Sequence, residues 1–348
     1  MVDDDKGSAT TTIGWRQGLT ERIDSLGAAK GRFVQESAPD VETVPAERFF
    51  DADFFAECIA QHAGVDRSQL DFDVSSGRPA DGVDMRAYVS RYVRHYAGSL
   101  SIAALVGMAE GIGLDLSVSR CSFVLWKTIP FRLVLDQRDD EVVRCSERPA
   151  SWSAAGPVLE TLDELRAHVC SRLYGEHLDS FVNTVAERTN LAPGLLWTNV
   201  AEWPTTMSAA ACEYLDDDVA QGYVDDQRML LEDEVLPGVT GQPNPLRDRM
   251  DWTHVDDGAF PDEVATRRLC CLSYLLEDRF GRLCANCPHL PVEEKVALIR
   301  ERHGALPGST AGDATKAAIE RGLQRRSAQQ VLQARERQAA GRTSPSVE

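Results

Sequence analysis

One continuous stretch decides the fold class: residues 84–126, DMRAYVSRYVRHYAGSLSIAALVGMAEGIGLDLSVSRCSFVLW. Its first part carries a stripe of tyrosines at helical spacing, which we interpret as a packing stripe: Tyr88, Tyr92 and Tyr96. An alanine-rich run continues the helix to residue 111, with a break expected near Gly98. From residue 114 the pattern changes to the alternation of a strand, so helix and strand follow each other directly.

The remaining sequence divides in the same way, with helical patterns in the majority. Residues 114–126 and 131–137 predict a β-hairpin, and residues 141–147 predict a third strand. Helical spacing occupies the other long segments: 47–65, 159–188, 193–215 and 291–304. Because helices and strands do not alternate as βαβ units, the prediction is an α+β fold, mostly helical with a small antiparallel sheet and a C-terminal cysteine-rich module.

Charge and hydropathy exclude several classes of function. The chain has 348 residues and a formal net charge of −18, which argues against binding to nucleic acid or to anionic membranes. The longest apolar run, residues 99–116, contains Glu110 and several glycines and is too short to span a bilayer. The polar start lacks the apolar region of a signal peptide. We therefore expect a cytoplasmic protein whose thiols stay reduced.

Four of the nine cysteines fall within residues 267–290, RRLCCLSYLLEDRFGRLCANCPHL. Their spacing is an adjacent pair, twelve residues, and then a C-x-x-C. Four thiolates suit either zinc or an iron–sulfur cluster. Neighbouring side chains of an extended segment point to opposite sides, so the pair reaches one small ion only from a bent backbone, whereas a wider two-iron cluster accommodates it more easily. Zinc, a disulfide and inert thiols remain alternatives at this point.

The cysteine spacing resembles that of the FhuF-like family of ferric-siderophore reductases. The segment RRLCCLSY before the gap is similar to the family as well, and so, more weakly, are LLWTNVAEW at 195–203 and the helix-then-strand region, so that the resemblance covers about residues 85–290. In the family the gap between the pair and the C-x-x-C is ten residues. The two additional residues here place the geometry of that loop in question more than the set of ligands.

The resemblance implies a [2Fe–2S] cluster with four cysteine ligands, Cys270, Cys271, Cys284 and Cys287. Arg267 and Arg268 would offset the negative charge of the cluster. Trp197 and Asn199 are candidates for the substrate side, against the simpler interpretation of a packed tryptophan and a capping asparagine. His289 is a candidate hydrogen-bond donor to a cluster sulfur.

The implied activity is cytoplasmic reduction of a ferric siderophore, with one electron passing from the cluster to chelated Fe³⁺ and Fe²⁺ being released. The sequence contains no nucleotide or flavin motif, so an external electron donor is needed, such as a ferredoxin or a flavin reductase. A hydroxamate siderophore is one candidate substrate. The acidic run at 213–234 is interpreted as a solvated helix face, or alternatively as an attractor of cationic ferric trihydroxamates.

Two other functions are kept as alternatives. One is a zinc-stapled binding or scaffold protein that docks partners through its basic tail, and the other is a siderophore-binding protein whose cluster is structural or sensory. The predicted organisation has four parts: a tag-like or disordered start at 1–12, an α+β siderophore-binding domain at 13–250, a cluster segment at 251–304, and a linker with a basic helix-prone tail at 305–348. The other cysteines are predicted to be packed: Cys58, Cys121, Cys145, Cys170 and Cys212.

Overall fold

The computed structural model describes residues 13–27, 31–32, 42–70, 84–150, 152–254, 263–276 and 282–304. The α-helices in these ranges are α1 Trp15–Ser25, α2 Ala52–Ala63, α3 Met85–Ala109, α4 Leu162–Cys170, α5 Leu178–Thr189, α6 Pro193–Tyr214, α7 Asp217–Glu232 and α8 Val292–Gly304. The strands are β1 Val44–Pro45, β2 Ile112–Gly113, β3 Cys121–Trp126, β4 Ile129–Leu135, β5 Val143–Cys145, β6 Val158–Leu159, β7 Met250–His254 and β8 Glu263–Arg267. This mostly helical arrangement with small sheets confirms the α+β prediction. The predicted segments 1–12 and 305–348 lie outside the described residues.

Helix α3 is the centre of the molecule. Most of its side chains are buried, because α6, α7, β4, α1 and α2 pack around it. A helix that is apolar on nearly all sides is stable only when other elements cover it. The expected break near Gly98 is wrong, since α3 runs through this residue. A Cβ on Gly98 would lie 2.6 Å from the Trp203 indole, so the glycine instead allows α6 to approach closely.

The strands form three small sheets rather than one. The predicted hairpin is confirmed as β3 and β4, joined at Lys127 and Thr128, which both have positive φ as in a tight hairpin turn. The predicted third strand exists as β5, but it pairs with β2 and β6 in a different sheet. The hairpin cannot accept it because β1 pairs with β3, and the Leu133 N–H donates to the Arg32 carbonyl at 3.0 Å on the other edge.

The long helical pattern at 159–188 contains a change of helix type. A π-helical turn, Ser171–His177, connects α4 to α5. It turns His177 into the core, where Nε2 lies 2.6 Å from the Tyr96 hydroxyl and Nδ1 lies 2.7 Å from the Leu116 carbonyl oxygen. The tyrosine stripe of α3 is buried, as predicted.

Helix α6 starts at Pro193, as the sequence predicts, and runs along α3. The β7–β8 hairpin was not predicted, and it leads the chain past α6 to the cysteines. Among the remaining cysteines, Cys58, Cys121, Cys145 and Cys170 are buried as predicted. The prediction for Cys212 is wrong: it is exposed, because the last turn of α6 directs this side chain to solvent. In the described ranges, no helix combines the length and the apolar character that crossing a membrane requires.

Candidate metal centre

The backbone around the cysteine pair is bent. Strand β8 ends at Arg267, and Leu272, directly after the pair, adopts a positive φ of 60°. The Cys270 and Cys271 side chains also interact with each other. The Leu272 N–H points back to the Cys270 sulfur at 3.4 Å.

The second pair of cysteines lies on a tight turn. The Cys287 N–H donates to the Cys284 carbonyl at 3.0 Å, and the Leu290 N–H donates to the Cys287 carbonyl at 3.2 Å. The backbone N–H of His289 donates to the Cys287 sulfur and contributes to the lowering of its pKa. A hydrogen bond from the His289 side chain to a cluster sulfur stays a prediction.

The four thiols come together pairwise. The Cys271 and Cys284 sulfurs are 3.9 Å apart, and the Cys270 side chain interacts with both Cys271 and Cys287. Two thiolates on one tetrahedral metal with bonds of about 2.3 Å stand about 3.8 Å apart, so the first pair fits a shared metal ion. Across the described part of the chain, no group of three or more His, Cys, Asp or Glu side chains surrounds a single metal position.

The four thiols differ in the direction in which their pKa is shifted. Hydrogen bonds from Cys270 and Cys284 lower the pKa of Cys271, and the charge of Arg267 acts in the same direction against the effect of burial. The hydrogen bond from Cys270 also lowers the pKa of Cys287. The same hydrogen bonds raise the pKa of Cys270 and of Cys284. Cys271 and Cys287 therefore ionise more readily than Cys270 and Cys284.

Arg267 is the charged group next to these sulfurs. It is 1% exposed, and its guanidinium forms an ion pair with Glu202 of α6. Its Nε and Nη1 have no hydrogen-bond partner among the described residues. Burial would lower the pKa of Arg267, but the charge of Glu202, followed by the nearby Cys271 and Cys284, raises it. Buried donors normally have a partner. The unsatisfied donors beside four thiols fit an anionic metal–thiolate group, so the donor set is suited to the implied cluster.

Glu202 connects the cysteine segment to the helical core. Its carboxylate accepts hydrogen bonds from Arg94 of α3 at 2.9 Å and from Asn286, inside the C-x-x-C, at 2.9 Å, in addition to the Arg267 ion pair. Burial would raise the pKa of Glu202, but the charges of Arg267 and Arg94 outweigh it and hold the pKa at about 2. We did not identify Glu202 from the sequence, although a glutamate within the apolar LLWTNVAEW segment was a signal.

The other predicted site residues take different positions. Asn199 is fully buried and donates to the Ser90 hydroxyl at 2.8 Å, and that hydroxyl donates to the Cys271 carbonyl at 2.8 Å. Trp197 is packed in the core. Arg268 is on the surface and pairs with Asp251 at 2.7 Å. The structure thus brings Arg267 and, through Ser90, Asn199 to the cysteines, while direct contact of Trp197 or Asn199 with a substrate stays a prediction.

Comparison with known proteins identifies the family of the chain from the region that precedes the cysteines. The profile of the family described as ferric iron reductase FhuF-like transporter matches residues 87–260, half of the chain, and ends before Cys270. Aerobactin synthetase IucC from a hypervirulent pathotype of Klebsiella pneumoniae is structurally similar over 60% of this chain and 36% of its own, with 12% identity and a TM-score of 0.40. No curated protein matches the chain. On the family match, this chain belongs to the FhuF-like ferric iron reductase family.

Proposed function

We propose that this chain is a ferric-siderophore reductase with a [2Fe–2S] cluster held by Cys270, Cys271, Cys284 and Cys287. The observation that carries the proposal is the convergence of these four thiols beside the unsatisfied donors of buried Arg267. The family match supports a role related to ferric siderophores. A cytoplasmic location is part of the proposal, because it keeps free thiols reduced.

When bound, the cluster supplies a one-electron carrier between an external donor, such as a ferredoxin or a flavin reductase, and siderophore-chelated Fe³⁺, which leaves as Fe²⁺. The protein groups hold this centre and adjust its potential. Arg267 offsets negative charge from a buried position, and the backbone N–H groups of Leu272 and His289 donate to the sulfurs of Cys270 and Cys287. Positive charge and hydrogen bonds at sulfur favour the reduced state.

The decisive experiment is anaerobic purification followed by metal and sulfide analysis, visible absorbance, and electron paramagnetic resonance after dithionite reduction. We expect two iron and two sulfide per chain, and we expect Cys284→Ser to lose the absorbance. The matched control is Cys212→Ser, because Cys212 is exposed and lies outside the cysteine cluster. Stoichiometric zinc in a colourless protein would support the zinc-stapled alternative instead.

A second assay separates a reductase from a binding protein. The reduced protein is mixed with a ferric siderophore in the presence of a ferrous-iron chelator that changes colour on binding. We expect Fe²⁺ to form at one equivalent per cluster in a single turnover, and to form repeatedly with an electron donor. Binding of the siderophore without Fe²⁺ formation would support the structural or sensory cluster.

A further inference from the structure

A second group of charged and aromatic side chains lies next to the metal centre. We call it the cationic–aromatic patch, and it consists of Arg32, Arg94, His95, Phe131 and Trp203. The Arg32 guanidinium lies between two rings, with its carbon 4.7 Å from the Phe131 centroid and 5.1 Å from the Trp203 centroid. Arg94 lies over the same indole at 5.3 Å. The guanidinium groups of Arg32 and Arg94 therefore both contact the Trp203 ring.

The backbone fixes each member of the patch. The Arg32 carbonyl accepts the Leu133 N–H of β4 at 3.0 Å, which holds Arg32 beside the strand that carries Phe131. The Trp203 indole N–H donates to the Arg94 carbonyl at 2.9 Å. The patch is thus assembled from α3, α6 and the edge of the β3–β4 hairpin, and these positions do not depend on a bound ligand.

Arg32 has no carboxylate partner among the described residues. Its Nη2 contacts His95 Nδ1 at 3.3 Å, while its Nη1 is buried without a hydrogen-bond partner in the described part of the chain. Burial, followed by the charge of Arg94, lowers the pKa of Arg32 to about 10, so it stays protonated near neutral pH. Burial and the nearby arginines lower the pKa of His95 to about 2, so the ring is neutral and accepts from Arg32.

The patch is close to the cysteines through Arg94. This side chain contacts Trp203 on one side and Glu202 on the other, and Glu202 binds both Arg267 and Asn286 of the C-x-x-C. A ligand at Arg32 would therefore lie a few side chains from the proposed cluster.

One carboxylate of the acidic run at 213–234, the alternative attractor, is not available to a cationic ligand. Asp226 in this run is fully buried and accepts from Arg148 at 2.6 Å and from Arg166 at 2.6 Å. A carboxylate that is already paired with two arginines does not attract a cationic ligand.

We propose that the cationic–aromatic patch binds an anionic ferric chelate through its carboxylate or catecholate oxygens. This inference rests on the proposed function and specifies its substrate class. Carboxylate and catecholate oxygens complement a planar guanidinium that has an unpaired N–H group, and the contacts with Phe131 and Trp203 hold that guanidinium in place. The half-buried position of Arg32 and Arg94 favours an arm of a small chelate over the flat surface of a protein partner.

The test uses gallium(III) chelates and the full chain with its metal in place. Gallium(III) has the charge of Fe³⁺ but is not reduced under these conditions, so binding is measured independently of electron transfer. Isothermal titration compares gallium citrate, a gallium tris-catecholate and the cationic gallium complex of desferrioxamine B. We expect the two anionic chelates to bind more tightly than the cationic one, and the affinity to fall with added salt. The anionic chelate that binds more tightly shows whether the patch prefers carboxylate or catecholate oxygens.

Arg32→Gln removes the positive charge and some of the N–H donors of the guanidinium. We expect the anionic chelates to bind about ten- to a hundredfold more weakly, the range for a lost hydrogen bond to a charged group. Arg138→Gln is the matched control, because Arg138 is largely exposed and pairs with Asp140 elsewhere. Arg32→Lys, which keeps the charge, should lie between the wild type and Arg32→Gln, and thermal unfolding checks that each variant is folded.

Equal binding by Arg32→Gln and Arg138→Gln, or tighter binding of the cationic chelate, would overturn the inference. If the anionic chelates bind but no Fe²⁺ forms from their iron complexes, the reductase proposal fails and this inference stands. If Fe²⁺ forms at the same rate in Arg32→Gln and the wild type and gallium binding is unchanged, only this inference fails.

Discussion

Glu202 joins three parts of the chain through a single carboxylate. It pairs with Arg94 on α3, with Arg267 at the end of β8, and with Asn286 between two of the cysteines. Removing one partner of a buried ion pair is costly because the other charge remains in the interior without compensation. In this protein the uncompensated charge would be the guanidinium of Arg267, which is 1% exposed.

We therefore expect Glu202→Gln to lower the free energy of unfolding by about 3 kcal/mol, at the lower end of the range for a broken buried pair because the amide still accepts one hydrogen bond. Urea unfolding at pH 7 measures the change. Glu187→Gln on the exposed face of α5 is the control and should change stability by less than about 0.5 kcal/mol. If both variants unfold at the same urea concentration, the carboxylate does not anchor the segment.

Local sequence signals were enough to select candidate residues. The four thiols were selected by their spacing and Arg267 by its position just before them, and their role as a cluster site stays a prediction. Glu202 and Arg32 were missed because their partners are far along the chain: Glu202 meets Asn286 84 residues later, and Arg32 meets the ring of Trp203 from the other end of the fold. Both contacts exist only because the tertiary fold brings distant segments of the chain against α6.

The pairing of α3 with α6 is the central contact between elements, and it depends on a glycine. Periodicity predicted both helices but expected Gly98 to interrupt α3, since glycine is a poor helix former. In the folded protein, the contact between Gly98 and Trp203 outweighs the low helix propensity of glycine. With no side chain at this position, the Trp203 indole packs against the α3 backbone and reaches the Arg94 carbonyl.

We expect Gly98→Ala to destabilise the protein by about 1–3 kcal/mol, the usual cost of overpacking, even though alanine favours a helix. The new Cβ would lie 2.6 Å from the indole and force α6 away from α3. Gly222→Ala on α7 is the matched control, because its Cβ would have no neighbour closer than 3.6 Å. There the helix preference should stabilise the protein by up to about 1 kcal/mol. Chemical unfolding of both variants gives the comparison, and a stabilised Gly98→Ala protein would contradict the close contact.

The sheets show where element prediction reached its limit. Alternation identified β3, β4 and β5 correctly as strands, because it records which side chains are buried. The alternation pattern does not indicate which strands pair with each other. Strand β5 is in another sheet because both edges of the β3–β4 hairpin are already paired. The β7–β8 hairpin was not predicted because its residues are mostly exposed or half-buried, so apolar and polar residues alternate little along it.

At the scale of the whole molecule, burial keeps three histidines neutral. Burial is the largest cause of each shift, and it lowers the pKa of His168 and of His177 to about 4 and that of His95 to about 2. In the unfolded chain these rings take up protons near pH 6.5. Because the unfolded state then binds more protons than the folded state, the free energy of unfolding falls as the pH decreases from about 7 toward 4.

His177 allows this dependence to be measured at one residue. A shift from the ordinary pKa of 6.5 to about 4 implies that His177 alone accounts for a loss of about 2 kcal/mol between pH 7 and pH 5. We expect His177→Asn to be less stable than the wild type at pH 7, because it loses the contacts with Tyr96 and Leu116, but to lose about 2 kcal/mol less on going to pH 5. His254→Asn, at an exposed position of β7, should keep the wild-type dependence. Urea unfolding of the three proteins at pH 7, 6 and 5 tests this prediction. If the free energy of unfolding of His177→Asn fell with pH as steeply as that of the wild type, His177 would be protonated in the folded core.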